Sequence, residues 1–206
     1  MQEKPPVFIP CRTNNRQMRE IFRKLVHIFF GLAVAGLVIA FDRSVAMAIL
    51  AVGLLTGVIL IDILLRGYRL PLFSSLVDFA DRGDCLPGRG ALFFAVSALA
   101  CIILFPVPVA VPALVTIAVL DGVATIVGVR FGRTRIFNGK SLEGTTAGIL
   151  VTSLALLPLL TVPGAVVVAI IAGLIELVSP IDDNLVIAPC ICILLELLPV
   201  LIRATG

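Results

Sequence analysis

Charged residues are scarce in this chain: 14% of its 206 residues, against about 25% in an ordinary soluble domain. With 60% hydrophobic residues and a mean hydropathy of +1.16, that deficit excludes a soluble globular domain and predicts an integral membrane protein. Histidine is almost absent, His27 standing alone. The cysteines, Cys11, Cys85, Cys101, Cys190 and Cys192, are odd in number and form no CxxC pair. Neither a zinc site nor a disulfide framework is therefore expected. No cleavable signal peptide is expected, because the first 19 residues are polar and precede any apolar stretch. No internal repeat is visible, so the inverted halves that build many transporters are missing too.

What the chain has instead is long apolar runs. Reading for roughly 17–25 consecutive apolar residues gives seven segments, 25–41, 44–65, 90–106, 108–129, 145–161, 163–178 and 185–202. The expected fold class is an all-α integral membrane protein of about seven transmembrane helices. Residues 1–19 read as a basic cytoplasmic tail and 20–206 as a single transmembrane catalytic domain. With the N-terminus inside, every Lys and Arg except Arg43 and Arg203 falls on the inner side, and so does every acid except Asp42 and Glu196. That asymmetry obeys the positive-inside rule and places the chemistry on the cytoplasmic face. The longest connection, 66–89, holds Pro71, Pro87 and an apolar stretch Leu70–Val77, which suits a segment lying on the membrane surface.

Four clusters on that inner side carry chemistry. Glu20, Arg23, Lys24 and His27 fall at spacings of 0, 3, 4 and 7 and share one helical face. Arg23 and Lys24 alone would serve as a snorkelling anchor. With Glu20 and the one histidine they form a candidate site, in which Arg23 and Lys24 are candidate nucleotide contacts and His27 is open between a satisfied buried imidazole, a general base and a phosphate donor. The second cluster is Asp121 with Gly122, Ala124, Gly128 and Gly132. The small residues make a smooth stripe for helix packing. Asp121 itself costs about 2.5–3.5 kcal/mol at mid-span and needs another reason, a metal or nucleotide contact.

The third cluster is Arg133, Arg135, Gly139, Lys140, Ser141, Glu143 and Gly144. Gly139-Lys140-Ser141 ends like a P-loop, but Thr134 stands where a Walker A glycine is required, so that reading fails. What remains is a Gly-flanked basic turn entering a helix whose free N–H groups suit phosphate. Lys140 would act there as a point charge and Arg133 or Arg135 as a bidentate clamp. Glu143 reads equally as a simple cap. The fourth cluster is Glu176 followed by Asp182, Asp183 and Asn184. Adjacent carboxylates suit Mg²⁺, while Asp183 or Asn184 is also a natural N-cap of the last helix.

In chain order these segments read ExxRKxxH, DGxAxxxGxxxGR, KSxEGTxAG, then Glu176 with DDNLxxP, and Gly88-Arg89-Gly90 opens the third span. The series resembles the CTP-dependent lipid kinases: the dolichol and polyprenol kinases, the phytol kinases and the CTP-using diacylglycerol kinases. The wider superfamily includes the phosphatidate cytidylyltransferases. The resemblance implies transfer of the γ-phosphoryl group of CTP to the hydroxyl of a membrane lipid alcohol, with Mg²⁺ and release of CDP. Expected partners are thus CTP, the lipid alcohol and the bilayer. No nucleic acid is expected, and the small-residue faces permit a homodimer without requiring one. The expected metal ligands are Asp121, Glu176 and one or both of Asp182 and Asp183. Lys140 would neutralise phosphate oxygens with Arg133 or Arg135, and Asp121, Glu20 or His27 would handle the hydroxyl proton. The alternatives are a CTP:phospholipid cytidylyltransferase and, from another class, a small transporter.

Overall fold

The computed structural model describes residues 13–66, 68, 88–137, 139–179 and 182–201. Most of the expected surface segment 66–89 and the first twelve residues of the expected tail lie outside these. The described chain is helical: α1 (Thr13–Ala40), α2 (Arg43–Leu65), α3 (Arg89–Leu104), α4 (Val107–Phe131), α5 (Leu142–Leu156), α6 (Val162–Val178) and α7 (Asp183–Leu197), closed by a 3-10 turn at Pro199–Leu201. Three of these, Gln17–Ala40 within α1, α2 and α4, are long and apolar enough to cross a membrane.

The remaining helices match the expected runs in position; α3 and α6 also agree with them within one residue in length, while α5 and α7 start earlier and end at Leu156 and Leu197, short of the expected ends. At 15 to 17 residues and 1.5 Å of rise each they reach about 22–26 Å, short of a hydrocarbon core of about 30 Å. Their ends are fixed by local chemistry. Ser141 starts α5 by accepting from Gly144 N at 3.1 Å, Thr161 starts α6 by accepting from Gly164 N at 3.2 Å, and Asp182 starts α7 by accepting from Asn184 N at 3.2 Å. Each satisfies one backbone donor that the first turn leaves open. Prolines in the first turns of α4 and α6 add preset φ angles. At the other end of the chain, α1 begins at Thr13, so the expected tail is helical from that point and runs without a break into the apolar run.

α4 is the central helix. Its apolar window is 83% buried, against 28% for α1 and 11% for α2, so α4 is apolar because it is surrounded. α2 is apolar although it faces outward. α1, α5 and α7 pack around α4, α6 covers α5, and α3 bridges α2 to α7. The outer surface stays greasy, with Phe29 at 78% exposure, Val52 at 63% and Leu104 at 71%.

The tightest contact joins α4 to α5 along the expected stripe. A methyl on Gly144 would meet the Ala124 carbonyl, one on Gly132 would meet the Gly128 carbonyl and Ser141, and one on Gly148 would stand 3.0 Å from the Ala124 Cβ. α1 closes on α4 in the same way, with Gly122 beneath the Ile28 side chain and Gly31 beneath Ala118. Close backbone approach is the source of packing energy where lipid offers no hydrophobic drive. Gly53 of α2 has nothing within 4 Å of the place its Cβ would take. We expect Gly144→Ala to lower stability by about 1–3 kcal/mol through overpacking, and Gly53→Ala to leave it unchanged or slightly raised. Thermal unfolding of the two purified variants checks this, and equal losses would contradict the packing assignment.

Candidate functional site

Five segments converge on one cluster of charge. Because Gly122 has no side chain, α1 lies close against α4, and this brings Lys24 to Asp121. The Lys24 Nζ donates to Asp121 Oδ1 at 2.6 Å and to Oδ2 at 2.5 Å. Both groups are buried, Asp121 at 4% exposure. One turn along α1, His27 Nε2 stands 3.7 Å from Asp121 Oδ2, too far for a hydrogen bond. Its ring meets Phe94 edge-on, centroids 5.2 Å apart. The Nε2 is buried without a hydrogen-bond partner.

The opposite wall is built around Lys140. Residues 134–137 pair with 139–142 as a small hairpin: Ile136 N donates to Lys140 O at 2.8 Å, Lys140 N to Phe137 O at 3.0 Å and Leu142 N to Thr134 O at 2.9 Å. Gly139, at φ +73°, takes the left-handed conformation the turn requires. Glu143 ties the hairpin to the start of α5, accepting from Thr134 N at 3.1 Å. The hairpin aims Lys140 inward, where Nζ donates to the Glu176 carbonyl at 2.7 Å, to Glu176 Oε1 at 3.1 Å and to Asp183 Oδ2 at 2.7 Å. Burial alone would lower the Lys140 pKa. The Glu176 and Asp183 carboxylates outweigh it and hold the ammonium above the usual lysine value.

Asp121, Glu176 and Asp183 each place a carboxylate oxygen within 4.8 Å of the others. Three acids from three helices thus meet, flanked by Lys24 on one side and Lys140 on the other. Glu176 is 2% exposed. Its Oε1 is used by Lys140, while its Oε2 is buried with no hydrogen-bond partner, as is Asn184 Oδ1 beside Asp183 in the chain. Buried oxygens without donors are uncommon. Hard oxygen donors of this kind, some already lacking a partner, fit a divalent cation such as Mg²⁺.

The other candidate residues lie around this centre. Glu20 and Arg23 pair with each other on α1. Asp182 caps α7 and sits 3.7 Å from Arg89 Nε, apart from the three-acid group. Arg135 is exposed and its Nη1 donates to Gly139 O at 2.7 Å within the hairpin. Arg133 and Glu143, with Arg130, Phe131 and Gly132, line an open depression of about 460 Å³. Ser141 and Gly144 belong to the α5 cap and its contact with α4. Arg89 and Phe94 were not among the candidate site residues of the sequence, whereas Asn184 stood in the fourth cluster beside Asp183. The setting of Arg89 between two glycines at a helix start was a usable signal. The burial of Phe94 left none.

Removing one partner of a buried ion pair strands the other charge, at a cost of about 3–5 kcal/mol. We expect Asp121→Asn to lose stability on that scale in thermal unfolding, and the double change Lys24→Met with Asp121→Leu to recover most of it. A double variant no more stable than Asp121→Asn would show that the pair is not the source of the loss.

No protein-family model and no solved structure matches the chain. It is 35% identical over 173 residues to "Uncharacterized protein MJ1137" of Methanocaldococcus jannaschii, covering 82% of this chain and 88% of that protein. At that identity and coverage, the chain belongs to the same family as this archaeal protein.

Proposed function

We propose that the chain is a polytopic membrane phosphotransferase that moves the γ-phosphoryl group of CTP to the hydroxyl of a membrane lipid alcohol: a polyprenol or dolichol, phytol or geranylgeraniol, or diacylglycerol. The observation that carries the reading is the three-acid cluster of Asp121, Glu176 and Asp183 between Lys24 and Lys140, set into a bundle with an apolar exterior. Ionisable groups at such a place handle a ligand. CTP and the acceptor class rest on the resemblance of the motifs. The cluster supports a polyphosphate with a divalent metal.

The topology belongs to the same proposal. Seven crossings with a cytoplasmic N-terminus gather the basic connections on one side, and the hairpin 134–142 and the start of α7 both lie at that end. The exposed apolar face of α1, with Phe29 and Phe30 outward, is suited to lipid. Nucleotide then comes from water and the alcohol from the inner leaflet.

Magnesium, when bound, supplies charge neutralisation and alignment of the phosphates. Asp121, Glu176 and Asp183 are the residues that would hold it. Lys140 fixes Glu176 and Asp183 relative to one another, and its charge would lower the cost of bringing phosphate oxygens beside the three acids. Arg133 and Arg135 stand in water at the hairpin, where a nucleotide arrives. His27 Nε2, unpartnered beside Asp121, is placed to accept a hydrogen bond from the acceptor hydroxyl or to donate one to it. Phe94, at 1% exposure, excludes water from that side.

The test is a product assay on the purified protein with γ-labelled and α-labelled CTP, Mg²⁺ and a panel of lipid alcohols. We expect label on the lipid from the γ position alone with release of CDP, and a fall of about 10²–10³ in rate for Lys140→Met, the scale on which a preorganised charge stabilises a transition state. Transfer from the α position to a phospholipid acceptor would instead identify a cytidylyltransferase. No transfer with either label and no CTP binding would sink the enzyme reading in favour of a transporter.

A further inference from the structure

The two lysines of the cluster are not held alike. Lys140 is anchored by a bond to the main-chain carbonyl of Glu176 as well as by two carboxylates. Among the described residues Lys24 donates only to the two oxygens of Asp121, the atoms a metal ion would need. Its neighbour on the same face of α1, Glu20, is paired with Arg23 through Oε1. We propose that Lys24 is the resident counter-ion of Asp121, displaced by an incoming divalent cation and taken up by the polyphosphate that comes with it. Cation and polyanion then bind as one unit. This rests on the phosphoryl-transfer reading of the same site, and makes Lys24 a direct contact of the phosphates.

Charge and geometry lead to the same result. Three carboxylates face two ammoniums, a near-balanced set within a low-dielectric interior, where an unpaired charge costs several kcal/mol. A divalent cation arriving alone turns Lys24 away from Asp121 with no phosphate to receive it. A polyphosphate arriving alone meets three carboxylates. Arriving together they satisfy both, because the phosphates receive Lys24 while the cation takes Asp121. Glu176 Oε2, buried and unpartnered, is an independent sign that the acid group has an oxygen to give to a cation. The ammonium of Lys24 compensates Asp121 but leaves that oxygen without a donor.

Equilibrium dialysis of the purified full-length protein against Mn²⁺, with bound metal read by electron paramagnetic resonance, tests the exchange without relying on turnover. Wild type is expected to hold Mn²⁺ weakly. Lys24→Met, which frees Asp121, is expected to tighten it by about ten-fold, within the usual range of coupling between sites. Lys24→Arg keeps a cation on Asp121 and should hold Mn²⁺ as weakly as wild type. Arg66→Gln, which alters an exposed pair with Asp62, serves as a control and should also match it. A purely structural Lys24 predicts the opposite sign, weaker metal binding in Lys24→Met, and that result overturns the proposal.

Should Lys24→Met fail to fold, the wild type alone decides. Retention of labelled inorganic tripolyphosphate by the protein should rise about ten-fold when Mn²⁺ is added. Retention indifferent to Mn²⁺ refutes joint binding. Failure of the CTP transfer assay with tightened Mn²⁺ binding in Lys24→Met would remove the phosphotransferase reading and leave the exchange standing. Intact transfer without that tightening would do the reverse.

Discussion

A carboxylate in the middle of the most buried helix of an apolar bundle has to be compensated from another part of the chain, and Lys24 does this for Asp121 across 97 residues of sequence. The requirement reaches outward from that pair. For Nζ to reach both oxygens, α1 must lie against α4 closely enough that position 122 has no room for a side chain. That approach carries His27 to the edge of the same carboxylate and sets its ring on Phe94. On the other side, Lys140 draws together the end of α6 and the beginning of α7. Four helices and a hairpin are thus positioned by two ammoniums and three acids.

The apolar runs were legible in the sequence because a hydrophobic stretch bounded by polar turns has few other folds open to it. Helix lengths were less so. The caps at Ser141, Thr161 and Asp182 decide where helices start, and hydropathy averaged over a window does not register a single hydroxyl or carboxylate. Asp121, Glu176, Asp183 and Lys140 could be singled out because a charge in or beside an apolar helix has a known cost. Their partners could not. Lys24 reads equally well as a membrane anchor, as a phosphate ligand and as the counter-ion of a distant aspartate, and only the packing of α1 on α4 separates these roles. Asp182 and Asp183 are adjacent in sequence and look interchangeable, yet one caps α7 beside Arg89 and the other meets Lys140. Neighbours at a helix start point in different directions, and a spacing argument does not say which points inward.

The stripe of small residues illustrates the same division. Ala124, Gly128 and Gly132 read as a packing surface from sequence alone. In the structure they receive Ser141, Gly144 and Gly148 of α5. Gly144 and Ser141 had also been candidates for phosphate contact. Ser141 Oγ accepts from Gly144 N and lies against Gly128 and Gly132, so both are committed to holding α5 on α4. Their contribution to the site is to fix the base of the hairpin from which Lys140 projects.

A cluster that carries its own counter-ions also separates folding from loading. Structural metal centres draw their folding free energy from the ion, and without it the chain unfolds. Three acids meeting in an apolar interior with no cations would follow that pattern, since their mutual repulsion and desolvation would open the bundle. Here two ammoniums are built in, and the site closes on itself with little net charge. The acids are thus held by pairs within the chain, and on the proposed reading an incoming cation replaces one of these pairs. A group held by carboxylate oxygens alone can be exchanged without disturbing the backbone. A group also bonded to a main-chain carbonyl moves only if the helix end moves with it. The difference between Lys24 and Lys140 thus follows from their bonding partners: the first is the replaceable half of the arrangement, and the second is part of its frame.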